Sequence, residues 1–109
     1  ERDIRSVLRM FLESEGYQVD VADNGQEALR RLSRGPLPHL ILLDMRMPVM
    51  NGWQFAESFE EVYDHQAPIL VMTAAADAEK RAKEIHAASW VGKPFDLEEL
   101  LRKIRACER

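Results

Sequence analysis

Cysteine is almost missing from this sequence. Cys107 is alone among 109 residues, so neither a disulfide framework nor a cysteine metal site can be built, and its thiol reads as half-exposed in a reducing compartment. A basic excess is missing too. The net charge is −4 and Glu is interleaved with Arg, which argues against a module that grips a phosphate backbone; no direct nucleic-acid binding is expected. No apolar stretch approaches the length of a bilayer span and no signal-peptide pattern opens the chain, so no membrane partner is expected and the expected setting is cytoplasmic. His39, His65 and His86 share no metal-like spacing and read as surface or capping residues. Hairpin signals are absent as well. What is present, 46% hydrophobic and 31% charged residues, suits a single globular domain.

Apolar residues at Ile4, Val7, Leu8, Phe11 and Leu12 recur at helical spacing until Gly16 stops them. Tyr17 to Ala22 alternates apolar with polar, as an edge-like strand does, and Asn24 with Glu27 forms a capping-box pattern before Ala28, Leu29 and Leu32. After the Gly35-Pro36 break, Leu40-Ile-Leu-Leu is an apolar run that ends at Asp44, the pattern of a buried parallel strand. Gly52 then precedes a third helix with a wide apolar face: Trp53, Phe55, Ala56, Phe59 and Val62. Ile69 to Thr73 repeats the strand design behind Pro68. A charged fourth helix covers about Ala76 to His86, a short strand spans Ser89 to Gly92, and Asp96 with Glu99 caps a last helix whose Leu97, Leu100, Leu101 and Ile104 face the core. Every strand is followed by a helix, which predicts an α/β domain with a parallel sheet, right-handed crossovers and helices on both faces.

Open α/β sheets place their chemistry at the carboxyl ends of the strands. Asp44, Thr73 and Lys93 each stand at such an end, on three different predicted strands. A carboxylate, a hydroxyl and an ammonium on one rim suggest a phosphoryl site: the carboxylate attacks phosphorus, the hydroxyl donates to one phosphoryl oxygen and the ammonium neutralises another.

Three motifs in this order, Leu40-Ile-Leu-Leu-Asp44-Met-Arg-Met-Pro48 with Asn51-Gly52, Ile69-Leu-Val-Met-Thr73-Ala74, and Trp90-Val-Gly-Lys93-Pro94-Phe95, make the chain resemble a response-regulator receiver domain of two-component signalling. The resemblance covers nearly all of residues 1–109. It implies a flavodoxin-like doubly wound parallel sheet with strand order 2-1-3-4-5, and Asp44 as acceptor of a phosphoryl group from a partner histidine kinase or phosphotransfer protein. Thr73 would be the switch hydroxyl, Lys93 the phosphoryl's cationic partner, and Trp90 the aromatic that swings as Thr73 moves. Mg²⁺ would be held by Asp44 and the backbone carbonyl of Arg46. Lys93-Pro94 would be a cis peptide, and the small Ala74 would leave room for the phosphoryl group. A homodimer through the fourth helix, the last strand and the last helix is the partner mode that the family suggests. Such a module is an interaction switch, catalysing only its own phosphorylation and dephosphorylation.

Two departures from the family stand out. Its Mg²⁺ site needs two adjacent acids at the end of a first, central strand, and neither strand nor pair is in the sequence. The expectation is an amino-terminally truncated receiver, lacking a strand of roughly five to eight residues upstream of Glu1. Asp3 then reads as a helix amino-terminal acid and Glu1 as a spectator. Between Thr73 and Lys93 the chain is also shorter than usual, which predicts a short or shifted fourth helix.

Plainer roles compete at several positions. Asp44 would be a solvated strand-end acid, Thr73 a β-branched strand residue and Lys93 a snorkelling surface lysine. Trp53, Phe55 and Phe59 read first as core of the third helix, with Trp53 second as a kinase contact. Met45, Met47, Met50 and Met72 read as gap fillers near the site, and the charges of Glu79, Lys80, Arg81, Lys83 and Glu84 as a solvated helix face first and a partner surface second. Two other functions compete. A haloacid-dehalogenase-like phosphatase needs an acid two positions after its nucleophile, where Arg46 stands. A degenerate receiver would act by protein contacts without phosphorylation.

Overall fold

The computed structural model describes residues 2–46 and 49–108, and for residues 2–4 the backbone alone. The expectations for Glu1, for the Met47-Pro48 step and for the side chains of Asp3 and Ile4 lie outside the described residues. The elements are α1 (Arg2–Ser14), α2 (Gly25–Leu32), β1 (Ile41–Asp44), α3 (Gly52–Tyr63), β2 (Ile69–Ala74), α4 (Ala78–Glu84), β3 (Ser89–Lys93) and α5 (Leu97–Cys107). The three strands form one parallel sheet in the order β1-β2-β3, the run that the last three strands of the expected order 2-1-3-4-5 make.

Strand periodicity divides the core into two halves. In register, Ile41, Leu43, Ile69, Val71 and Trp90 share one face of the sheet, while Leu42, Asp44, Leu70, Met72, Val91 and Lys93 share the other. On the first face Leu43, Ile69 and Val71 pack with Phe55 and Phe59 of α3 and Ala82 of α4, and the half-buried Ala28, Leu29 and Leu32 of α2 cover that side. On the second, Leu70, Met72 and Val91 pack with Leu8 and Leu12 of α1 and with Leu100, Leu101 and Ile104 of α5. Ile69 to Thr73 is buried at every position because helices cover both faces of β2.

Local chemistry sets the helix ends. α1 closes with Tyr17 N–H on the Leu12 carbonyl and Gly16 N–H on the Glu13 carbonyl, both at 3.1 Å, the paired bonds of a Schellman ending. The Asn24 side chain accepts from Glu27 N–H at 2.9 Å, but the return arm of Glu27 lands on the amide of Asp23, one residue before the cap. The complete capping box belongs to α3, where Asn51 and Gln54 each bind the other's backbone amide at 2.9 Å. Asp96 caps α5 as expected, accepting from Glu99 N–H at 2.7 Å.

The structure corrects five expectations. Tyr17 to Ala22 is not a strand: it keeps the expected alternation of exposure, and Tyr17 and Val19 reach the core, but no described strand lies alongside to complete a ladder. The fourth helix runs only over Ala78–Glu84, and Ala76, Asp77, Ile85 and His86 lie outside it. The predicted apolar face of the third helix is narrower than expected. Phe55, Ala56 and Phe59 are buried, whereas Val62 is exposed and Trp53 retains 38% exposure. Val7, placed on the apolar face of the first helix, is exposed as well. The last strand extends one residue further than expected, to Lys93.

Candidate phosphoacceptor site

The carboxyl ends of β1, β2 and β3 carry Asp44, Thr73 and Lys93. Asp44 stands opposite Met72, Thr73 opposite Gly92 and Ala74 opposite Lys93, so the three residues occupy one rim of the sheet. Asp44 and Lys93 leave the sheet on the face of α1 and α5. Thr73 leaves on the other face, the one Trp90 also uses.

Both carboxylate oxygens of Asp44 are engaged. Oδ1 accepts from the amide of Arg46 at 3.0 Å, a local Asx turn, and Oδ2 accepts from Lys93 Nζ at 3.0 Å. The amide fixes the carboxylate's orientation and the ammonium, reaching across β2, compensates its charge. Thr73 is the buried polar residue at this rim, only 7% exposed, while its neighbour Ala74 is exposed and adds little bulk. The Lys93-Pro94 bond is cis, as the resemblance implied.

The loop after Asp44 is held by α3. Gly52 N–H donates to the Met45 carbonyl at 3.2 Å, and a Cβ on Gly52 would come within 2.7 Å of Met45 Cα, so only glycine lets the helix start this close. Met45 is fully buried next to Asp44 and Met72 is buried in the sheet, so these two fill the interior as expected. Trp90 is half-buried on β3. Lys103 of α5 donates to its carbonyl at 2.5 Å, and the same ammonium lies 5.5 Å from the centre of its ring. Neither the Gly52 approach nor the Lys103 contact has a signature in the sequence, but the capping box at Asn51 and Gln54 does.

The donor set for Mg²⁺ is partial. Asp44 and the Arg46 carbonyl supply hard oxygen ligands of the right kind, and Mg²⁺ commonly uses one or two carboxylates with water completing its shell. Among the described residues no cluster of three or more His, Cys, Asp and Glu side chains is placed to hold a metal. The described residues therefore fit the family's metal in part. Among them, too, no helix is long and apolar enough to cross a membrane.

Comparisons with known proteins bear on the fold and the family. Response regulator MprA of Mycobacterium leprae is 37% identical over 111 residues that cover 100% of this chain and 48% of that protein. The chain spans about half the length of the curated relatives it matches. Among solved structures, the chemotaxis response regulator CheY4 of Vibrio cholerae superposes with a TM-score of 0.86 at 32% identity, covering 98% of this chain and 91% of that one. The response regulator TrrA of Thermotoga maritima, solved in complex with Mg²⁺-BeF, gives a TM-score of 0.84 at 30% identity over 98% of this chain and 91% of that one. The fold is thus the flavodoxin-like receiver fold, and the chain, matched by the family's model over residues 1–105, belongs to the response regulator receiver domain family.

Proposed function

We propose that Asp44 accepts a phosphoryl group from the phosphohistidine of a partner kinase and that the acyl phosphate so formed switches an output surface made by α4, β3 and α5. The observation that carries this reading is the pairing of Asp44 with Lys93 across β2, with Thr73 at the end of the strand between them. An oxygen of Asp44 forms the bond to phosphorus as the phosphorus–nitrogen bond of the donor breaks, and the imidazole leaves with the electron pair and takes a proton from solvent. Lys93 moves its charge from the carboxylate to a phosphoryl oxygen. Thr73 turns its hydroxyl toward another phosphoryl oxygen, and Trp90, on the same face, follows into the space this opens. Asp44 and the Arg46 carbonyl would hold Mg²⁺, which would supply charge neutralisation when bound. A cytoplasmic setting goes with a kinase partner. A homodimer through α4, β3 and α5 is the associated assembly.

Intact mass after incubation with Mg²⁺ and acetyl phosphate tests the reading. One phosphoryl group is expected on the protein and none on Asp44→Asn. A version preceded by a strand with two adjacent acids is expected to bind Mg²⁺ more tightly and to react faster. No adduct on any of the three favours a receiver that acts by contact alone.

A further inference from the structure

α4 is a weakly anchored helix. It has seven residues, of which Ala78 and Ala82 are buried, and its amino-terminal Asp77 makes no side-chain cap bond. By contrast α3 buries Phe55, Ala56 and Phe59, and α5 buries Leu100, Leu101 and Ile104. Burying two methyl side chains removes little apolar surface from water, so polar links weigh heavily in fixing where α4 sits.

One such link is a closed three-residue clamp to α3. Trp53 Nε1 donates to Glu84 Oε1 at 2.8 Å; Arg81 Nη1 donates to both oxygens of the same carboxylate, at 3.0 and 2.9 Å; and the Arg81 guanidinium lies 5.3 Å from the centre of the Trp53 ring. Each member touches the other two. Arg81 and Glu84 sit on the last turns of α4, while Trp53 is the residue after Gly52, whose amide holds the loop behind Asp44. The indole therefore stands between the phosphoacceptor loop and the helix.

We propose that the Trp53–Arg81–Glu84 clamp is a brake that holds α4 in its resting position, tying the output side to the Asp44 loop by a route that uses neither Thr73 nor Trp90. The functional half of this statement rests on the reading of Asp44 as phosphoacceptor and of α4 as part of the output surface. A brake on the resting arrangement lowers the population of any state in which α4 has moved, and so slows a reaction that favours such a state. Trp53 and Arg81 act through Glu84 and through each other, as positioning residues.

Amide hydrogen exchange on the whole chain, read by mass spectrometry, tests the clamp. Trp53→Phe keeps the ring and removes the donor, and Glu84→Gln removes the charge that Arg81 grips. Each is expected to speed exchange of the α4 amides by about fivefold, and the double variant by no more than the larger single effect, since either change opens the same clamp. Amides of α3 and α5 keep their wild-type rates. α4 exchange within twofold of wild type in Trp53→Phe, or two effects that multiply independently, overturns the clamp. The rate of phosphoryl incorporation from acetyl phosphate, followed by intact mass on the same proteins, tests the brake. It is expected to rise several-fold in Trp53→Phe, and an unchanged rate beside faster α4 exchange overturns the brake. Failure of every variant to take phosphoryl sinks the phosphoacceptor reading instead, and the clamp is then judged on exchange alone.

Discussion

Lys93 Nζ and Asp44 Oδ2 meet at 3.0 Å although they belong to strands that do not touch, with β2 lying between them. Each side chain is about a third exposed, at 38% and 34%, so their attraction is screened and adds less than about 1 kcal/mol to stability. On the proposed function, the pair matters for reaction more than for folding. Lys93→Met is expected to slow phosphoryl incorporation on the order of a hundredfold, the scale of losing one preorganised donor. Its urea midpoint should stay close to wild type. A mass time course and an unfolding curve on the same sample check both halves.

Gly92, opposite Thr73, is expected to tolerate no side chain. A Cβ there would lie 2.4 Å from Ala75 Cα and 2.7 Å from Ala75 Cβ, where the chain crosses the end of β3 and Ala75 N–H donates to the Lys93 carbonyl at 3.1 Å. Gly92→Ala should cost about 2 kcal/mol through forced backbone displacement. Because the displaced strand end carries Lys93, phosphoryl incorporation should fall with it. Urea denaturation and intact mass measure the two effects.

Val49 holds the left-handed conformation, φ 68°, with a β-branched side chain that is 75% exposed. That conformation costs an L-residue roughly 1–2 kcal/mol, while so exposed a side chain returns little burial. Val49→Asn keeps the backbone and relieves the strain, since Asn enters this region readily. A gain of about 1 kcal/mol in unfolding free energy is expected.

Hydrogen bonds from Trp53 and then Arg81 hold the Glu84 carboxyl below its ordinary value, and the charges of Arg81 and Lys80 act in the same direction. A carboxyl whose folded value is depressed contributes stability that is fully present above its unfolded value and is lost as pH falls through the folded one. Protection of the α4 amides should therefore hold through neutral pH and fade below the ordinary carboxylate range. In Glu84→Gln that acid-side fading should disappear. Exchange rates corrected for the intrinsic effect of pH provide the check.

The rim residues were legible because strand ends are marked by a change of chemistry: an apolar run stopping at Asp44, another at Thr73, and a short one at Lys93 before Pro94. Helix faces were legible where leucines and phenylalanines repeat, as at Leu8 and Leu12 or Leu100, Leu101 and Ile104, all buried. The same rule failed at Trp53 and Val62. Periodicity states which side of a helix is apolar but not how wide a strip its neighbours cover. Tyr17 to Ala22 shows the converse. Its alternation was read correctly, but a strand is a relation between two segments, and hydrogen-bond partners are not written in one of them. Close approaches such as Gly52 to Met45 and Gly92 to Ala75 join residues whose meeting only the folded chain defines.

The chain has two tryptophans, and each lies near a cation of a helix: Trp53 with Arg81 of α4, and Trp90 with Lys103 of α5. One indole sits at the seam between α3 and α4, the other where β3 meets α5. Indole emission responds to the field of a nearby charge, so the domain contains its own optical probes. With Phe in place of Trp90 the emission of Trp53 alone reports the seam between α3 and α4, and the moment at which that seam responds to a reaction at Asp44 can be timed without attaching a dye.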